Sequence, residues 1–273
     1  AAMALSVTRS PVDAARFALG ALALLPIILV RTRRAALGAG LPDRARLRTY
    51  LVGGSVAGLV LLVAASLQQA GLVYTTAGKA GFITGLYVPL VPVFGLFVGQ
   101  RTNRATWVGV TLAVIGLYFL TTATPLKLNP GDGLVLACAV LCAMHVLVIG
   151  WLSPRLDPLI LGWLQFSIVA AGSLVLAGWT ERVTADGCRA AGWAILYGGL
   201  GSVGIAFTLQ IIGQRDAPPG HAALVMSLEA VFAALSGYLL LNETFGLRET
   251  LGAGLMLSGT LLSQVRRLAR ATG

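Results

Sequence analysis

From Thr49 to Leu72 the chain reads "TYLVGGSVAGLVLLVAASLQQAGL", with no charged side chain anywhere in the run. At 1.5 Å per residue a helix of this length reaches about 36 Å, enough to cross a hydrocarbon core of about 30 Å. Strict alternation of polar and apolar residues, the mark of a barrel strand, is missing from stretches such as Val56–Ala65. A helix is therefore the expected span, because it satisfies its own backbone hydrogen bonds in lipid. Runs of this kind recur at 14–30, 49–72, 79–98, 105–121, 132–152, 157–179, 190–213, 220–241 and 248–265. Only 11% of the 273 residues are charged, against about a quarter in a soluble domain, and the mean hydropathy is +0.85. The fold class expected is an all-α, multi-pass membrane protein.

The net charge of +10 would suggest nucleic acid if the chain were soluble. The loops give a different explanation. Of the 20 basic residues, 13 fall on one set of alternate connectors and the C-terminal tail, including the cluster "RTRRAALGAGLPDRARLR". Acids do not share this bias: Asp43, Asp157 and Asp216 lie with the 13, and six others lie opposite. The positive-inside rule makes that side cytoplasmic, places the C-terminus there, and points to a cytoplasmic (inner) membrane. Anionic lipid headgroups are the expected partners of the cluster, and no nucleic acid is. The apolar stub Ala1–Ser6 is too short to cross, so a preceding half-span is expected to be missing, giving ten spans in all.

Two segments repeat. "QQAGLVYTTAGKAGFITGLYV" from Gln68 aligns with "QIIGQRDAPPGHAALVMSLEA" from Gln210, pairing Gly71 with Gly213, Ala80 with Ala222 and Leu86 with Leu228 at a constant offset of 142. After a single-residue gap, Gly109, Leu112 and Gly116 pair with Gly252, Leu255 and Gly259 at an offset of 143. Five spans separate each segment from its counterpart. Five is odd, so the copies cross the bilayer in opposite directions, as in the inverted repeats of secondary transporters. The expected domains are residues 1–128, holding an incomplete first helix and helices 2–5, and residues 129–273, holding helices 6–10.

These features, with "RFALGALALL", "TTAGKAGFITGLYVPLVPVF" and "HAALVMSLEAVFAALSGYLLLNETFGLRETLGAGLMLSG", resemble the drug/metabolite transporter superfamily, EamA type. The resemblance extends over essentially the whole chain and is densest at Ser227-Leu228-Glu229, Phe232, Asn242-Glu243 and Gly252. In the first repeat Gln100-Arg101 stands where the family often has Gly-Glu, and no role is carried onto Gln100. The resemblance implies an exporter of amino acids or small metabolites, with aromatic amino-acid exporters as one branch. It implies neither catalysis nor a cofactor.

Position along the spans selects the site candidates. Tyr87, His145 and Glu229 fall near the middle of their helices, where a lipid-facing charge costs about 2.5–3.5 kcal/mol on insertion scales. They are expected to face the protein interior, with Tyr87 and Glu229 in equivalent positions of the two repeats. Glu229 and His145 are the groups that would carry protons; a structural acid hydrogen-bonded between helices is the plainer alternative. Lys79 and His221 form a second equivalent pair, eight residues earlier on the same helix face. Phe82, Met144, Trp163 and Met226 are candidates for an apolar wall and Gln68 for a polar contact, although ordinary packing explains each of them equally well. Gly81 and Gly85 form a small-xxx-small face, and Pro89 and Pro92 interrupt the same helix, which makes it the candidate moving element. Cys138 and Cys142 share a helix face without nearby ligands, so packing is the reading and no metal is expected. "GLGSVG" at Gly199–Gly204 matches GxGxxG but follows no strand, and dinucleotide binding needs one. An intramembrane lipid-modifying enzyme or a non-transporting scaffold are the alternatives to a transporter.

Overall fold

The computed structural model describes residues 9–36, 44–100, 102–121, 129–180, 191–241 and 246–271. The expected half-span at the N-terminus and Asn242-Glu243 lie outside the described residues. The elements are α1 (Arg9–Ala36), α2 (Arg44–Gly71), α3 (Ala77–Gly85), α4 (Tyr87–Phe97), α5 (Arg104–Thr121), α6 (Pro130–Leu152) and α7 (Pro158–Thr180). A composite span follows: α8 (Gly192–Leu196), a π-helical segment (Tyr197–Phe207) and α9 (Thr208–Gln214). The last elements are α10 (Pro219–Met226), α11 (Glu229–Leu241) and α12 (Leu247–Ala271). Among the described residues, eight helical stretches are long and apolar enough to cross a membrane, from Pro11–Thr32 to Pro219–Ser236. They coincide with the first eight expected spans to within a few residues, and α12 covers the ninth.

The chain divides into two compact units, residues 1–66 with 148–216 and residues 67–147 with 217–273. Each unit takes helices from both halves of the sequence. In the first, α1 and α7 pack antiparallel around Phe17, Phe166 and Phe207, with ring centroids 6.1–6.2 Å apart. Aromatic rings at that spacing combine area burial with favourable edge and tilt geometry. The start of α7 follows from local chemistry. Pro158 occupies its first position and the Asp157 carboxylate accepts from the Leu159 N–H at 2.9 Å. The Asp157 N–H in turn donates to the Tyr50 hydroxyl at 2.8 Å, tying α2 to this corner.

The π-helical segment departs from the regular α-helix expected over 190–213. Gly198, Gly199, Gly201 and Gly204 fall inside it. Their missing side chains weaken the α register, and α1 presses close: a Cβ on Gly199 would sit 2.8 Å from Leu19 Cδ2, and one on Gly20 would sit 2.5 Å from Val203 Cγ1. The GxGxxG match is therefore helix–helix packing within a span.

In the second unit α5 and α12 run antiparallel in close contact. A Cβ on Gly109 would fall 2.6 Å from the Gly259 carbonyl oxygen, and one on Gly116 would fall 2.5 Å from that of Gly252. The repeat register equates Gly109 with Gly252 and Gly116 with Gly259, so one contact maps onto the other when the copies are exchanged. That reciprocity is what a two-fold relation produces.

Candidate functional site

The second unit contains two broken helices in equivalent positions. The first span bends at Leu86, between α3 and α4; the other bends at Ser227-Leu228, between α10 and α11. Leu86 and Leu228 are counterparts at offset 142, so Tyr87 and Glu229 each open the second half of a broken span. Different chemistry makes the two breaks. In the first, Pro89 has no N–H for the Gly85 carbonyl and its ring crowds that group, so the helix gives way one turn earlier. The Leu86 N–H turns instead to the Ile83 carbonyl at 3.1 Å. Pro92 lies inside α4, which continues past it to Phe97, so the break between α3 and α4 falls one turn before Pro89. The second break contains no proline. The Ser227 hydroxyl donates to the Leu224 carbonyl at 2.7 Å and Thr260 Oγ1 approaches it at 3.5 Å, while the Leu228 N–H goes to Val225 at 3.1 Å. A local hydroxyl has replaced the helical donor.

Around the breaks lies an apolar cluster of Tyr87, Val88, Val91, Val110, Ala143, Val146, Ala223 and Leu224, with Cys142, Phe94 and Met226 against it. Tyr87 is buried. Glu229 is accessible, yet protein atoms enclose its carboxyl group on most sides, and it lies within electrostatic reach of Tyr87 and Cys142. Among the described residues its carboxylate makes no hydrogen bond or ion pair. Cys142 is held against Cys138, with the sulfurs 3.7 Å apart. His145 is buried one turn further along α6. The structure therefore brings Tyr87, Glu229, Cys142 and Met226 into one neighbourhood.

Other candidates are placed elsewhere. Lys79 is in a largely buried ion pair with Asp132 at 2.5 Å, the two side chains 12% and 6% exposed. Asp132 also accepts from the Thr75 hydroxyl at 2.9 Å and from the Asn129 N–H at 2.6 Å. His221, at the matching register position, lies 3.5 Å from Thr106 Oγ1 and 3.3 Å from the Ser263 carbonyl. Lys79 thus fastens the start of α3 to α6, and His221 fastens the start of α10 to α5 and α12. Phe82 stacks edge-on with Tyr118 at 5.7 Å, and Gln68 donates to Thr84 at 3.4 Å. Met144 is exposed, and Trp163 packs on the core of the other unit. Of the small-residue pair, only Gly85 makes a close approach, to Leu117; Gly81 has open space around it, which corrects the expectation of close packing there. Trp151, Trp179, Trp193 and Tyr197 are exposed near helix ends, where interfacial aromatics belong.

The sequence reading does not single out Asp132, Thr260 or the placement of Cys142 beside Glu229. Asp132 had a usable signal, an acid in the first turn of a span on the same membrane side as Lys79. Cys142 had none, since the rotation of α6 about its axis is set by packing.

Comparison with known proteins adds the following. A family model described as the EamA-like transporter family matches twice, at residues 6–122 and 129–264. An uncharacterized transporter of Archaeoglobus fulgidus is 29% identical over 211 residues, covering 77% of this chain and 67% of that protein. An uncharacterized transporter of Methanothermobacter thermautotrophicus is 24% identical over 230 residues, covering 80% of this chain and 66% of that protein. The chain thus spans about two thirds of the length of each of these relatives. A solved crystal structure shares the fold with a TM-score of 0.76 at 20% identity, covering 96% of this chain and 92% of the other.

Proposed function

The chain belongs to the EamA-like transporter family, and on that premise we propose that it exports small organic solutes, amino acids and related metabolites among them, across the cytoplasmic membrane by alternating access. The observation that carries the proposal is the pair of equivalent helix breaks, which set Tyr87 and Glu229 in one neighbourhood within an apolar cluster. Broken helices at matched positions of two repeats are where secondary transporters build solute and ion sites. Residues 1–128 and 129–273 are the two repeats in this reading, supported by the double family match. Tyr87, Glu229, Met226 and Phe94 form the solute site, Glu229 exchanges protons during the cycle, and Gly85 and Pro89 supply the bend that gates it. The excess of basic residues on one set of loops supports a cytoplasmic C-terminus.

The test is flux in reconstituted vesicles across a panel of labelled amino acids and amines. Saturable flux of one or more is expected. A sealed, correctly inserted preparation that moves none of them would refute transport of this solute class. Proton coupling is checked in the same vesicles: Glu229→Gln abolishes the dependence of flux on an imposed pH gradient, and a retained dependence removes the proton role from Glu229.

A further inference from the structure

Charge inside the spans is nearly cancelled in pairs. Arg16 is bonded to Asp13 at 2.8 Å, and Lys79 to Asp132 at 2.5 Å. The exposed Arg31, Arg44, Arg46, Arg48, Arg104, Arg155 and Arg215 lie at or near helix ends. Among the described residues Glu229 is the one acid at depth whose carboxyl group makes no hydrogen bond or ion pair. It lies ten residues from Pro219 and seven from Ser236, the ends of the apolar stretch, which on a helical rise puts it about 10–15 Å from either end, deep in a hydrocarbon core of about 30 Å.

A solute entering this neighbourhood meets one carboxylate, one phenol and apolar or sulfur-bearing side chains, while His145, one turn further along α6, is buried and already engaged. A zwitterionic amino acid would match its ammonium to Glu229 and leave its carboxylate without a cation, a heavy penalty in low dielectric. An anion would face Glu229 directly. A monocation carrying an apolar body matches this set: its charge faces Glu229, its body lies against Met226 and Phe94, and Tyr87 beside Glu229 adds an aromatic ring to the same neighbourhood.

We propose that the preferred solutes are organic monocations, amines without a free carboxylate, selected by the lone carboxylate of Glu229 among otherwise paired span charges. The proposal rests on the transporter reading above and narrows its solute class.

The test uses three labelled probes that share a phenylethyl body: phenethyltrimethylammonium, phenylalanine and 3-phenylpropanoate. Each is measured by counterflow in vesicles carrying the full chain. The cation is expected to move saturably at least about tenfold faster than the zwitterion, with the anion at background, the direction set by an unmatched charge at depth. Glu229→Gln should remove the cation preference and Glu229→Asp should keep it, with monodispersity checked for both. If either variant fails to fold, the ranking of the three probes on the unaltered chain still decides. Phenylalanine moving as fast as the cation or faster overturns the charge inference and leaves transport standing. Background flux for all three probes, together with no flux across the wider amino-acid and amine panel, overturns both readings.

Discussion

Lys79 and Asp132 are the residues whose energetics are easiest to separate. The Asp132 side chain is buried and that of Lys79 largely so, and Asp132 accepts from Thr75 and Asn129 as well. Removing one partner of a buried pair leaves a charge with nothing to offset its lost hydration, a cost of about 3–5 kcal/mol. Lys79→Met should therefore lower the thermal midpoint in detergent markedly, and Lys79→Met with Asp132→Asn should recover much of the loss. A double variant no better than the single one would show that Lys79 contributes through packing of its stem. Ser227→Ala removes the hydroxyl that takes the place of a helical donor at Leu224, and should cost about 1 kcal/mol. The same unfolding assay reads it.

At the scale of elements, the two broken spans and the α5–α12 crossing carry the architecture. Pro89→Ala restores a donor for the Gly85 carbonyl and should straighten the first broken span, raising thermal stability while slowing flux. Unchanged flux with a raised midpoint would detach the bend from the transport cycle. At the crossing, Gly116→Val puts a branched side chain where a Cβ already falls 2.5 Å from the Gly252 oxygen, and overpacking of this kind costs about 1–3 kcal/mol or more. Gly254→Ala on the same α12, with open space around it, should be neutral. Elements were the level most legible in the sequence. Apolar runs with charged flanks give the spans to within about five residues at each end, and the offset of 142 puts Leu86 and Leu228, hence Tyr87 and Glu229, in register from the sequence alone. The π-helical segment was not legible, since four glycines give no periodic signal to separate π from α. The break at Ser227 was not legible either, because a serine inside an apolar run keeps a helix as readily as it ends one, and only the bond of its hydroxyl to the Leu224 carbonyl marks the break. The Lys79–Asp132 pair spans 53 positions and needed the fold to bring its ends together.

For the whole molecule, the two compact units do not follow the two sequence halves. Each unit combines helices from both, and within the second unit the reciprocal glycine contacts of α5 and α12 carry the two-fold relation directly. Family membership and fold support a membrane transporter; what is carried, and how, depends on whether Glu229 meets water and solute or faces lipid. The most direct measurement is the reactivity of Glu229→Cys in a chain otherwise free of cysteine, in vesicles, toward a membrane-impermeant charged methanethiosulfonate. The account predicts modification by that reagent from the aqueous phase. Modification only by a lipid-soluble maleimide would contradict it.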